Sequence, residues 1–290
     1  MLGVTGTARH TRRRSLPSKL RAGGRYLWWF VRNPVENGAK LYERRVTARD
    51  WRPETAYPAD EGWEARLHEL IGAAWPCPQT ESFDRTWEAA LHELARRGLV
   101  VGREAFGGWD DGDRGLARAL WCLVHHLEPE HVVETGVGRG LTSRIVLEGL
   151  EENGKGHLWS VDLPPPLSPS LRRETGAAVP ERLRPRWTYV RGTSRRRLPQ
   201  IVAEIGSIDL FIHDSMHTTR NVEFELEQVW PALCRGGAML VDDIEMNRGF
   251  ELFVERHGEG LRRLIATSDD GVRRFGLIER PNAVSQPAQG

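Results

Sequence analysis

The chain has 290 residues, enough for one large core and an appendage. Its 41 basic and 40 acidic residues leave a formal net charge of +1, with 39% apolar and 28% charged residues. That balance excludes a disordered or fibrous chain and a uniformly basic, polyanion-binding one. Three cysteines, Cys77, Cys122 and Cys234, stand far apart, with no CxxC and no local His/Cys cluster. The spacing points to a reducing compartment and argues against a disulfide scaffold or a structural zinc site.

The near-neutral total conceals a polarised chain. Residues 1–50 hold 12 Lys/Arg against 3 Asp/Glu, a net of +9, and the remaining 240 hold 29 against 37, a net of −8. Residues 1–25 are basic, contain Gly and Ser and lack periodicity, so they read as a disordered arm. The aromatic run from Tyr26 to Val31 is too short for a signal segment or a membrane span. Flanked by cations, it can lie on an anionic membrane surface, pack on the body or mediate homo-oligomerisation. These features predict a cytoplasmic protein with an arm over 1–50, a helical region over 51–114 and an α/β domain over 115–290.

In the second region Leu67, Leu70, Ile71 and Ala74 recur at helical spacing, as do Trp87, Leu91 and Leu94 before Gly98. A third helix is predicted from Gly115 to Leu127, ahead of Pro129. From residue 131 short apolar runs alternate with helical stretches. The predicted strands are 131–135, 157–163, 187–192, 208–214 and 238–243, and the predicted helices 141–152, 194–205 and 219–233. Apolar strands separated by helices indicate a parallel sheet buried on both faces. Residues 261–280 read as a hairpin around Asp269-Asp270-Gly271.

In such sheets ligands bind beyond the C-terminal strand ends. The first strand is followed by Glu134-Thr135-Gly136-Val137-Gly138-Arg139-Gly140. Here the third glycine comes one residue earlier than in the dinucleotide fingerprint. This GxGxG form after an acidic residue suits a ligand without a pyrophosphate. Asp162 ends the second strand, where a carboxylate can accept from both ribose hydroxyls, and Thr193 and Ser194 follow the third.

With these motifs the chain resembles the class I S-adenosylmethionine-dependent methyltransferases over about residues 115–280. VVETGVGRG, WSVDLP and RGTS are similar to their first three motifs. The resemblance implies a Rossmann-like doubly wound sheet of strand order 3-2-1-4-5-7-6, closed by the antiparallel hairpin. It implies S-adenosylmethionine as cofactor, with Gly136, Gly138 and Gly140 along its methionine part, Glu134 near the amino-acid end and Thr135 as a further cofactor-binding residue. Asp162 would hold the ribose, Thr193 or Ser194 the adenine, and Asp214 would border the cofactor. Thr193 departs from the Asp that many members carry.

The fourth and fifth strand ends read Ile212-His213-Asp214-Ser215-Met216-His217 and Val241-Asp242-Asp243-Ile244. Asp242 and Asp243 alternate in direction along a strand, so they converge with Asp214 only if the chain turns there. Three like charges in one cleft call for a cation, and hard oxygen ligands suit magnesium or calcium. The alternative is that Asp214 and Asp243 cap the helices that follow. The stretch resembles the metal-dependent O-methyltransferases of the macrolide-sugar type. That resemblance implies Asp214, Asp242 and Asp243 as ligands of Mg2+, and His217 as the catalytic base beside Asp214.

The other histidines have quieter expectations: His125 and His126 complement a helix end, and His213 packs within a strand. Arg195, Arg196 and Arg197 read as a solvated helix face. Residues 164–186 form a long link that is either a lid or variable surface. The function this predicts is O-methylation of a small molecule or glycan, such as a sugar hydroxyl. Metal-independent N- or carboxyl-methylation and a non-catalytic scaffold are the alternatives. The acidic body disfavours a nucleic-acid substrate.

Overall fold

The computed structural model describes residues 57–164, 168–269 and 271–282, and six positions between 31 and 48 that are helical. Residues 1–30, which hold the basic stretch 1–25 and the run from Tyr26 to Phe30, lie outside the described residues, whereas Val31 is helical and exposed. Two helices come first, α1 (Trp63–Ile71) and α2 (Thr80–Arg96), then a small antiparallel pair, β1 (Gly102–Phe106) and β2 (Trp109–Asp111). An alternating α/β run follows: α3 (Arg114–Leu127), β3 (His131–Thr135), α4 (Leu141–Glu152), β4 (His157–Asp162) and α5 (Pro169–Glu174). It continues with β5 (Trp187–Arg191), α6 (Ser194–Ile205), β6 (Ile208–His213), α7 (Thr219–Val229) and β7 (Leu233–Val241). Helix α8 (Gly249–His257) leads into the closing hairpin, β8 (Arg262–Thr267) and β9 (Arg274–Glu279).

The main sheet has seven strands in the order β5-β4-β3-β6-β7-β9-β8. Counted within that sheet, this is the expected 3-2-1-4-5-7-6. Strands β3 to β7 are parallel, and β9 enters antiparallel between β7 and β8. Alternate residues of each strand feed two cores. Val132, Leu158, Leu210, Ile212 and Leu240 meet Leu116, Leu120 and Leu123 of α3 and Val146, Leu147 and Leu150 of α4. Val133, Val161, Phe211, Met239 and Val241 meet Leu198, Val222, Leu226 and Phe250 from α6, α7 and α8. Near-continuous apolar strands buried on both faces are what this three-layer packing requires.

Four expectations are corrected. Residues 51–114 are not wholly helical, because Gly107 and Gly108, both at positive φ, close a two-residue turn between β1 and β2. Helix α1 stops at Gly72 in the left-handed conformation, so Ala74 lies beyond it. Helix α7 ends at Val229, where Pro231 turns the chain into a short 3-10 segment. Strand β7 begins at Leu233 rather than at 238 and ends at Val241, leaving Asp242 and Asp243 beyond it. Helix α8 was not anticipated.

Helix α2 lies outside α3 and α4, burying Phe83 and Trp87 against Trp121 and Ile145. The link between β4 and β5 is anchored on the glycine turn. Gly176 N–H donates to the Gly138 carbonyl at 3.1 Å, and Ala178 N–H donates to the Arg139 carbonyl at 2.8 Å. No helix among the described residues is long and apolar enough to cross a membrane.

Candidate active site

The register levels the strand ends. Thr135 stands beside Val161 on one side and His213 on the other, and His213 stands beside Val241. The next residues, Gly136, Asp162, Asp214 and Asp242, therefore emerge in one row. The turn after β3 is tight against that row. A Cβ at Gly136 would fall 1.8 Å from the Asp214 carbonyl oxygen, and φ there is +88°. Only glycine fits both constraints. A Cβ at Gly138 would meet only the Phe106 ring at 3.9 Å, so the turn is open there.

Glu134 is fully buried beneath this turn. Its Oε2 accepts from the Ser143 and Ser160 hydroxyls, each at 2.6 Å, while its Oε1 has no partner. Burial raises its carboxyl to about 7, against the two hydroxyls, and the charge of Asp162 adds to the rise. Asp162 ends β4 opposite Arg191 of β5. Thr193 is the N-cap residue of α6, but its side chain makes no capping bond. Ser194 is turned inward, its hydroxyl donating to Asn221 Oδ1 at 3.4 Å. Thr135 is turned inward too, donating to Glu225 Oε2 at 2.5 Å.

The sharpest local feature is the turn after β7. Asp243 adopts the left-handed region, φ 48° and ψ 42°, the bend that the expected convergence required. Non-glycine residues rarely sit there, and such strain concentrates at functional sites. One ligand atom each from Asp214, His217 and Asp242 lies within 4.8 Å of the others, and Asp243, expected as the third carboxylate, is not in that group. The Nε2 of His217 is 3.5 Å from Asp243 Oδ2 and 3.8 Å from Asp214 Oδ1.

Asp242 Oδ1 and Asp243 Oδ1 are buried without a hydrogen-bond partner. Burial, reinforced by the charge of Asp243, holds the Asp214 and Asp242 carboxyls well above the usual range. A divalent cation bound beside them would supply the countercharge that favours their ionised forms. Two carboxylates and an imidazole at that spacing, with partnerless oxygens on Asp242 and on the neighbouring Asp243, fit a hard divalent cation. Burial also lowers the pKa of His217, partly opposed by the charge of Asp243, so the imidazole is neutral near pH 7.

Three residues escaped sequence reasoning. Glu225 is fully buried on the apolar face of α7, among Val222, Leu226 and Val229. His213 Nδ1 lies 2.7 Å from its Oε2, and Ser215 Oγ and Asn221 Nδ2 each donate to Oε1 at 2.8 Å. An acid in an apolar helical stripe was the available signal. Asp113 N-caps α3 through Leu116 N–H and adds its charge to Asp214 and Asp242. Arg139, inside the glycine turn, donates to Asp111 at 2.7 Å and to Glu174 at 2.8 Å, clamping β2 and α5 to the site.

Residues 133–244 match a family model described as a methyltransferase domain. Among solved structures the chain is similar to the O-methyltransferase TomG from Streptomyces achromogenes, involved in tomaymycin synthesis and bound to SAM. The identity is 12%, over 78% of this chain and 100% of that one, with a TM-score of 0.53. It is also similar to the O-methyltransferase from Bacillus cereus in complex with SAH, at 16% identity over 76% and 99% of the two chains, with a TM-score of 0.51. No curated protein sequence matches the chain. At these identities the structural likeness establishes the fold.

Proposed function

We propose that the chain, whose residues 133–244 match a methyltransferase domain model, is a class I S-adenosylmethionine-dependent enzyme that methylates a hydroxyl oxygen of a small molecule or glycan. Metal and base would be supplied at the ends of β6 and β7. The observation that carries this reading is the convergence of Asp214, His217 and Asp242 at the strand ends.

The glycine turn and Asp162 would hold the cofactor, with Glu134 nearest its amino-acid end. Asp214, Asp242 and Asp243 would hold a divalent cation, which when bound lowers the pKa of an acceptor hydroxyl beside it. His217 presents Nε2 to that position and is neutral, so it can accept the hydroxyl proton. The acceptor oxygen then needs only an in-line approach of about 3 Å to the sulfonium methyl. A vicinal diol or catechol suits this arrangement, since one oxygen can be held while its neighbour is deprotonated.

The same distances admit a second reading, in which His217 is a fourth ligand rather than a base. Calorimetry with S-adenosylhomocysteine and magnesium, joined to a methyl-transfer assay on a panel of sugar diols and catechols, separates the readings. As a base, His217→Ala leaves magnesium affinity intact while the rate falls at least 100-fold. As a ligand, the same variant loses magnesium binding. Full transfer activity with EDTA in Asp242→Asn would refute metal dependence and favour a metal-independent transferase.

A further inference from the structure

The fold brings together four residues that the sequence keeps apart. Cys77 Sγ lies 3.5 Å from Cys122 Sγ and 3.6 Å from His126 Nε2. One ligand atom each from His68, Cys77 and Cys122 lies within 4.8 Å of the others, and all three residues are buried. The rings of His68 and His126 meet edge to face with centroids 5.3 Å apart. His68 comes from α1, Cys77 from the segment between α1 and α2, and Cys122 and His126 from successive turns of α3. The absence of a local His/Cys cluster therefore carries no weight against a metal here, since these ligands are assembled by packing.

His68 points most directly to a ligand. It is 1% exposed, and its Nε2 is buried with no partner. Its Nδ1 lies 2.7 Å from the Glu64 carbonyl. A carbonyl can only accept, so Nδ1 carries the proton and the Nε2 lone pair stays free. That is the arrangement in which a histidine is oriented for metal ligation by a backbone acceptor.

We propose that His68, Cys77, Cys122 and His126 form a structural zinc site. It would tie α1 and the following segment to α3. The two separations at Cys77 fit tetrahedral zinc: Zn–S bonds of about 2.3 Å put two sulfurs about 3.8 Å apart, and Zn–N bonds of about 2.0 Å put sulfur and nitrogen about 3.5 Å apart. Two thiols lose their protons to solvent as the metal binds. The two thiolate charges then cancel that of Zn2+, so the buried site is neutral overall. Soft sulfur with imidazole selects zinc over the hard cations suited to the carboxylate cluster. The two sites are therefore distinguishable by metal type as well as by mutation.

The test uses the full chain purified under reducing conditions and dialysed against magnesium-free buffer. Elemental analysis is expected to find about one zinc per chain, retained in Asp242→Asn and lost in Cys77→Ser/Cys122→Ser. Cobalt added to metal-stripped wild type should give the strong thiolate-to-metal absorption and intense visible bands of a tetrahedral sulfur-containing site, a readout that needs no variant. A zinc content below about one in ten chains, with no such cobalt spectrum, would overturn the proposal. So would zinc that is lost in Asp242→Asn but kept in the double variant. A Cys77–Cys122 disulfide that persists under reducing conditions would also overturn it.

Discussion

Glu225→Gln is the most informative substitution for stability. The Glu225 carboxylate is fully buried and collects four donors: Thr135 and His213 at Oε2, Ser215 and Asn221 at Oε1. Although burial works to raise its pKa, the charge and hydrogen bond of His213 win, with help from Thr135, and lower it from 4.5 to about 2. At about 1.4 kcal/mol per tenfold change, that difference corresponds to about 3 kcal/mol of stability at pH 7. Glutamine keeps the shape but removes the charge and turns an amide N–H2 toward one pair of donors. The expected loss is about 3 kcal/mol, or a fall in melting temperature of about 6–12 °C for a domain of this size. The sign with pH follows from a folded pKa below the unfolded one. The stabilisation is complete above about pH 4.5 and fades as pH falls toward 2. Urea unfolding of wild type and variant at pH 7 and pH 3 measures both values. About 2 kcal/mol of the gap should be gone by pH 3. Equal midpoints at pH 7, or a gap that widens in acid, would refute the assignment of a buried charged Glu225.

Glu134 has the opposite sign, because burial raises its pKa from 4.5 to about 7. The ligand-free protein should lose up to about 3 kcal/mol as pH rises through that interval. Glu134→Gln should abolish this loss, giving a higher melting temperature than wild type at pH 8. Gly136→Ala places a methyl group 1.8 Å from the Asp214 carbonyl at a φ of +88°. Its binding of S-adenosylhomocysteine should fall at least tenfold, read by calorimetry, and wild-type affinity would show that the turn does not border the cofactor. Arg139→Met leaves the buried Asp111 and the partly buried Glu174 without their partner, a change that costs about 3–5 kcal/mol. Limited proteolysis should then cut within 164–186 faster than in wild type, and an unchanged rate would refute the clamp.

The α/β half was legible because local periodicity and the strand-end rule act within short windows. Strand 131–135 and helices 141–152 and 194–205 have the predicted limits. The turn at Asp243 was legible as a requirement, since two adjacent carboxylates cannot otherwise face one cleft. What escaped depends on distant partners or on very short elements. Gly107-Gly108 closes a hairpin whose strands are too short to show alternation. The role of Glu225 arises from β3, β6 and the loop after β6, which only the fold gathers around one helix face.

The charge split takes on a physical meaning at the site. Glu134 and Asp242 are buried and Asp214 is half-buried, and their withdrawal from water is unfavourable in the ligand-free protein, as their raised pKa values record. Glu245, beside Asp243, is likewise raised to about 7 by burial and by that charge. A sulfonium cofactor and a divalent cation would each remove part of that penalty, so both should bind more tightly as pH rises and these groups lose their protons. A polyanion would add to it. The acidity of the body is thus concentrated where cations are wanted. This supports a cationic cofactor and a neutral acceptor.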